Sequence, residues 1–415
     1  MSNLHITAMS KLIGAKIDPN VDKEILQIYV AGEMFKILTL CRTENGYELK
    51  EVREIPKNYD PKILLGSSNP SKIILSNAIP FFPSAKIVLL KSYLSTWNPI
   101  TLEGHVRDYL FDAVKEIVDH MFRTESGKKY FVIPQCLDQF GISAVECNPS
   151  KNDILVSTDK HECLPLTKSC IITRFDNNKY YLAVKDKTNF NILQQPHEIT
   201  KEGHRIKLTL SVDINNMPTL NHEGVLLSRV KNMPKKLKIE KTEMLPIIGF
   251  FDYASVICLW DNENNRYDFL DSWNGKFGKD LFLDFMFPKS TLADSFKDIT
   301  CLSAAVYDLI TIMSMPADDI KVDPKWKFTI TKDEDNPVLL EFDTFEEKRM
   351  PASPTYLMAR IFNEHIRAIK KETGIKPKKL GFRLLDEFES ADARKRVEAG
   401  LKEACEYIKV ECLIV

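Results

Sequence analysis

At 415 residues, with 44% hydrophobic and 28% charged side chains, the chain has the composition of an ordinary soluble globular protein of two or three domains. Its formal net charge of −1 gives no electrostatic ground for nucleic acid or an anionic membrane as a partner. The nine cysteines show no C-x-x-C pair and no zinc-type spacing, which reads as reduced, mostly buried thiols in a cytoplasmic protein and leaves no metal site to assign. The N-terminal MSNLHITAMSKLIGAK lacks the apolar core of a signal peptide, and no stretch approaches the ~20 apolar residues of a membrane span.

In chain order, three modules are predicted: residues 1–148, 149–242 and 243–415. In the first, Ile25 to Val52 reads as two strands around an Asn45-Gly46 hairpin turn. A helix is predicted with Val106, Leu110, Val114, Ile117 and Met121 on one face, followed by a strand from Tyr130 to Ile133. In the second, strand-like runs dominate: Ile154 to Ser157, Ser169 to Phe175, Tyr180 to Lys185 and Ile206 to Asp213. Asn177-Asn178 and Asn215-Asn216 punctuate them as turns, the pattern of a small β-sandwich. The basic run Arg229 to Lys241 contains Pro234 and reads as a solvated linker. A nucleic-acid patch would need interleaved aromatic residues, which it lacks.

The third module begins at Pro246. Val322, Phe328, Ile330, Val338, Leu340 and Phe342 stand among charges, as in two half-buried strands hinged at Asp335-Asn336-Pro337. Pro351 to Pro354 open a helix whose apolar positions are Met358, Ile361, Phe362, Ile366 and Ile369. Gly374 and Pro377 stop it. An apolar run from Leu380 to Leu385, a helix from Glu389 to Glu406 and a strand from Val410 to Val415 complete an α/β arrangement. A similar order of elements occurs in residues 1–148, where Leu137-Asp138-Gln139-Phe140 echoes Leu385-Asp386-Glu387-Phe388, as expected of an internal duplication. The expected fold class is α/β plus all-β.

Lys325-Trp326-Lys327-Phe328, Ser353-Pro354, Phe388 and Ala399-Gly400 keep an order and separation similar to the first lobe of the ATPase domain in the seventy-kilodalton heat-shock chaperone family. In the first module, Gln27 to Gly32 sits where that family has its first phosphate-binding turn, and Ser84-Ala85-Lys86-Ile87-Val88-Leu89 resembles its Asp-Ala-Lys-Arg-Leu-Ile. In the middle module, Leu164-Pro165-Leu166-Thr167-Lys168 and Lys207 to Asn215 resemble its substrate-binding β-domain. The resemblance implies two partial actin-like (ribonuclease H-like) ATPase modules flanking a β-sandwich that takes peptide as an extended strand. It implies ATP with magnesium as cofactor, Lys86 as the catalytic lysine, and Gly32, Asp252 and Ser255 as nucleotide contacts. It also implies unfolded polypeptide or co-chaperone proteins as partners, with neither nucleic acid nor membrane among them.

The sequence departs from that family where phosphate chemistry is done. Phosphoryl transfer needs backbone N–H groups around the phosphates and carboxylates for magnesium. The family's Asp-Leu-Gly-Thr-Thr turn is replaced by Gly249-Phe250-Phe251-Asp252-Tyr253-Ala254-Ser255. Aligning Asp252 with the family aspartate requires a deletion, and a gap-free alignment on Ser255 puts Gly249 there. Val30 replaces that aspartate in the first module and Ile310 replaces the lysine in the second. The family's Asn-Glu-Pro glutamate and second lobe would lie past Val415. Lys86 reads either as a phosphate contact or as a helix-surface lysine, and Asp252 either as a magnesium ligand through water or as a turn residue. The expectation is a chaperone relative that binds unfolded polypeptide or chaperone partners without ATP hydrolysis. The alternatives are an ATP-hydrolysing chaperone and a rearranged remnant with no distinct activity.

Overall fold

The computed structural model describes residues 3–31, 34–56, 61–66, 69–77, 85–102, 106–122, 128–147, 149–174, 179–186, 189–199, 203–239, 244–288, 291–293 and 299–415. The chain gathers into two compact units, each assembled from separate pieces. The first is Met1–Cys170, Lys179–His197 and Thr209–Asn221; the second is Ile171–Asn178, Glu198–Leu208 and His222–Val415. The segment 149–242 is thus shared between both.

The first unit opens with a helix, α1 (Asn3–Gly14), that sequence patterning did not announce. Strands β1 (Glu24–Ala31), β2 (Met34–Thr43) and β3 (Gly46–Pro56) then form an antiparallel set of three, where two were expected. The run EILQIYVA of β1 lacks alternation because both its faces are covered. Strands β4 (Lys72–Asn77) and β5 (Ile100–Thr101) continue the sheet in the order β3-β2-β1-β4-β5, with β1, β4 and β5 parallel. Helix α1 packs Ala8, Met9 and Leu12 against Ile25, Leu38 and Ile74. Helix α2 (Ala85–Tyr93) packs Ile87 and Leu90 against Leu26, Ile28 and Leu75, which alternation places on the opposite face.

Helix α3 (Leu110–Met121) departs from the expected orientation. Ala113 and Glu116 are its buried residues; of the predicted apolar face Ile117 packs partly buried against the core, Leu110, Val114 and Met121 are exposed, and the Val106 side chain lies outside the described residues. The anchors lie on its polar side. Glu116 accepts the Tyr130 backbone N–H at 2.6 Å, and His120 stacks on Phe131 with ring centroids 3.6 Å apart. Residues Tyr130 to Ile133 do not form the expected strand, since Val132 makes only an isolated parallel bridge to Tyr47.

The same unit holds β6 (Phe140–Ser143), β7 (Ile154–Ser157), β9 (Lys179–Asp186) and β10 (Asn189–Ile192), ordered β10-β9-β6-β7, with β11 (His197–Glu198) also paired to β9. Strands β8 (Leu166–Thr173), β12 (Arg205–Val212) and β13 (Pro218–Val225) make a three-stranded sheet whose residues belong to both units. In β12, Ile206, Leu208, Leu210 and Val212 are buried in strict alternation, as the sequence predicts. The expected turn at Asn177-Asn178 lies outside the described residues.

In the second unit, the described part of the predicted linker Arg229 to Lys241, residues 229–239, is helical. Helices α4 (Ser228–Lys231) and α5 (Met233–Ile239) bury Val230, Met233 and Leu237 against Ile247, Phe251 and Val256. Their three- and four-residue apolar spacing is set among lysines. Strands β14 (Ile247–Phe251), β15 (Ala254–Asp261) and β16 (Arg266–Phe269) are antiparallel, and the short β17 (Lys279–Asp280) also pairs with β15. A small sheet of β18 (Leu283–Asp284), β19 (Thr291–Leu292) and β20 (Ala305–Val306) leads into helix α6 (Leu309–Ser314). Strands β21 (Thr329–Thr331), β22 (Leu339–Asp343) and β23 (Arg349–Ala352) follow as an antiparallel set. The expected first strand starts later than its apolar pattern implies, for Val322 is 58% exposed.

Helix α7 (Pro354–Thr373) begins and ends as its sequence predicts. The Ser353 side chain accepts the Tyr356 N–H, Pro354 occupies the first turn, and Gly374 closes the helix at φ 75°. Met358, Ile361, Phe362, Ile366 and Ile369 are all buried. Strand β24 (Lys379–Leu384), helix α8 (Ala391–Ile408) and strand β25 (Glu411–Ile414) complete the unit. The sheet runs β16-β15-β14-β24-β25, with β14, β24 and β25 parallel. This repeats the order and sense of the first unit's β3-β2-β1-β4-β5. The two differ in their helices: α7 precedes β24, whereas among the described residues no α-helix lies between β3 and β4.

Candidate functional site

In a parallel sheet, ligands are met at the carboxyl ends of the strands, where backbone N–H groups and loop side chains converge. In the second unit, β14 and β24 are parallel neighbours, and an aspartate follows each: Asp252 after β14 and Asp386 after β24. Both line a cavity of about 640 Å³, together with Arg205, Arg229, Tyr253 and Arg396 among others.

Asp252 is the first residue of the two-residue turn between β14 and β15, with φ at 45°. Left-handed backbone is tolerated better by aspartate than by most residues. Its N–H donates to Asp386 Oδ2 at 2.5 Å. Its carboxylate accepts two bonds from one guanidinium, Arg205 Nε at 2.9 Å and Nη2 at 2.6 Å. Such paired bonds are the strong form of this contact. Asp386 Oδ1 in turn accepts from Arg229 Nη2 at 2.5 Å. Burial, and after it the neighbouring Asp252, raise the Asp386 carboxyl above the usual carboxylate range, with Arg229 opposing them. The result is two acidic groups side by side, each neutralised by its own arginine.

This arrangement limits the chemistry. The Asp252 N–H that could meet a phosphate oxygen is engaged by a carboxylate. A magnesium ion at either aspartate would have to share it with a guanidinium. Among the described residues no group of three or more His, Cys, Asp or Glu side chains is placed to hold a metal ion. What the cavity offers is a mixed surface, with Arg396 and Lys321 against Asp319 and Glu389, and Phe388 and Met315 as apolar wall.

Of the two sequence-derived candidates in this unit, Asp252 lines the cavity and Ser255 does not. Ser255 is fully buried in β15; its hydroxyl accepts the Trp273 indole N–H at 3.0 Å and lies 2.8 Å from His365 Nε2. His365 is itself sealed in the core, and burial lowers its pKa to about 3. Lys86 belongs to α2 of the first unit, its side chain lying outside the described residues, as Gly32 does entirely. Gly249, the alternative position of the family aspartate, is a packing glycine. A Cβ built on it would lie 2.6 Å from Met233 Sδ.

Asp386, Arg205 and Arg229 were not anticipated as site residues. Asp386 had a local signal, an acid directly after an apolar strand. The arginines had none, because Arg205 lies 47 residues from Asp252 and Arg229 lies 157 residues from Asp386. Among the described residues no helix is long and apolar enough to cross a membrane. Compared with models of known protein families and with curated protein sequences, the chain matches none.

Proposed function

We propose that the chain is a divergent relative of the seventy-kilodalton heat-shock chaperones that binds unfolded polypeptide or chaperone partners without hydrolysing ATP. Its two α/β sheets correspond to partial actin-like, ribonuclease H-like modules, and it works in the cytoplasm. The shared strand order of the two sheets, three antiparallel strands followed by two parallel ones, supports the paired-module reading.

One observation carries the loss of hydrolysis. At the β14–β15 turn the Asp252 N–H is spent on Asp386, and Asp252 and Asp386 are neutralised by Arg205 and Arg229. These residues do not fit a magnesium–phosphate group, since binding one would require breaking two charge-assisted contacts first. The chemistry that remains is recognition of surfaces and extended chains.

The test is calorimetry of the folded full chain with ATP and magnesium, repeated with Lys86→Ala, beside fluorescence anisotropy with a reduced, carboxymethylated polypeptide. The expected result is no nucleotide heat and saturable polypeptide binding. Nucleotide binding that Lys86→Ala abolishes would overturn the proposal in favour of an ATP-dependent chaperone. Absence of both signals would favour a remnant without activity.

A further inference from the structure

An amphipathic helix on a sheet ordinarily turns its apolar stripe inward. In helix α3 Ile117 packs inward, but the stripe beside it faces out. Phe111 is 80% exposed, Phe122 78% and Met121 71%, and Leu110, Val114 and Val118 are each more than 40% exposed. This is not a helix free to roll over. Glu116 is buried and bonded to the Tyr130 N–H, and His120 is stacked on Phe131, so its polar side is the fixed one. The outward face is built in.

The stripe has a period. Phe111, Val114, Val118 and Met121 are separated by three, four and three residues, the a/d spacing with which one helix packs along another. Together with Leu110 and Phe122 they expose on the order of 700 Å² of apolar surface, more than a monomer ordinarily leaves open in one patch. It is close to the ~800 Å² that each partner contributes to a standard interface. A second copy of the same helix offers the same spacing and the same area, as a two-fold interface requires.

We infer that α3 is a self-association surface, through which two copies of the chain pair as an antiparallel helix dimer. In that pairing, Phe111 packs against Met121 of the second copy and Val114 against its Val118. The surface lies wholly in the first unit, so it stands or falls independently of the cavity around Asp252.

The experiment is sedimentation velocity of the full chain from 0.5 to about 100 µM, with wild type, Val118→Lys and Val118→Glu. Both side chains are surface-exposed, so the variants keep the native circular dichroism spectrum. Wild type should dimerise within this range. Each variant alone should weaken the dimer at least about 100-fold, and an equimolar mixture of the two should recover part of it. In parallel, oxidation of Met121 by dilute peroxide should slow as wild-type concentration rises. A chain that is monomeric throughout would overturn the proposal. So would a dimer that Val118→Lys does not weaken, or Met121 oxidation independent of concentration.

Discussion

Gly249 gives the most direct test of how the second unit is packed. It sits buried in the middle of β14, and α5 lies on it. A Cβ at this position would meet Met233 Sδ at 2.6 Å and both Met233 Cε and Leu385 Cδ1 at 3.1 Å. Real Cβ atoms do not approach sulfur that closely, and Met233 is 0% exposed, so it has no solvent into which to swing. Overpacking of this kind costs about 1–3 kcal/mol. Replacing glycine by alanine stiffens the unfolded chain and returns about 0.4–1 kcal/mol. Gly249→Ala should therefore destabilise the unit by about 1–2 kcal/mol. In a Met233→Ala background, itself about 2–5 kcal/mol less stable, the same change has room and should become neutral or mildly stabilising. The pair would then be strongly non-additive. Urea unfolding followed by tryptophan fluorescence suits the question, because Trp260, Trp273 and Trp326 all belong to this unit. Equal cost in both backgrounds, or a gain in stability from Gly249→Ala alone, would refute the packing argument.

Stability should also fall on mild acidification. Burial holds His5, with a pKa of about 4, and His365, with a pKa of about 3, neutral in the fold, and it lowers His204 as well. The unfolded chain protonates its histidines near pH 6.5 and so binds more protons below that point. Each histidine then withdraws up to about 1.4 kcal/mol per pH unit until its folded pKa is reached. Asp308, raised by burial to about 6, works in the opposite direction over its own window, because its folded form takes up a proton first. The net loss should appear as a falling urea midpoint between pH 6.5 and 4, with a flatter slope in His365→Gln; a midpoint constant over that interval would contradict it. Asp386→Ala should cost about 1–3 kcal/mol, because it leaves Arg229 and the Asp252 N–H unpaired, and Asp386→Asn should cost less by keeping an acceptor. Equal unfolding midpoints for Asp386→Ala and wild type would count against that network.

How far the sequence could be read depended on where each signal was held. Helix α7 was legible because its start, its apolar spacing and its stop are all local: Ser353-Pro354, then Met358 to Ile369, then Gly374. Strand β12 was legible for the same reason, through its alternation. The α4–α5 segment was misread because its lysines outweigh the spacing of Val230, Met233 and Leu237, although that spacing is plain once the helices are seen. The predicted face of α3 shares Val114 and Met121 with the exposed stripe and has Ile117 against the core, so periodicity located the helix but not which side faces out. Direction depends on Glu116 finding the Tyr130 N–H 14 residues away, which no periodicity encodes. The cavity was the least legible part. Asp252 stands out in the sequence, but Arg205 reaches it, and Arg229 reaches Asp386, only through the tertiary fold.

The discontinuous make-up of the two units has a consequence for synthesis. The first unit needs Thr209–Asn221, so a nascent chain cannot close it until those residues have left the ribosome. By then Ile171–Asn178 and Glu198–Leu208 are already outside, yet the body they belong to awaits His222–Val415. While residues 222–415 are being made, those segments have their β-sheet partners but lack the greater part of the unit they belong to. Incomplete units of this kind expose apolar surface and strand edges to wrong neighbours. A protein assembled in this order depends on how quickly residues 222–415 emerge. Slowing elongation within residues 222–415 should lower its soluble yield more than the same pause placed within the first 170.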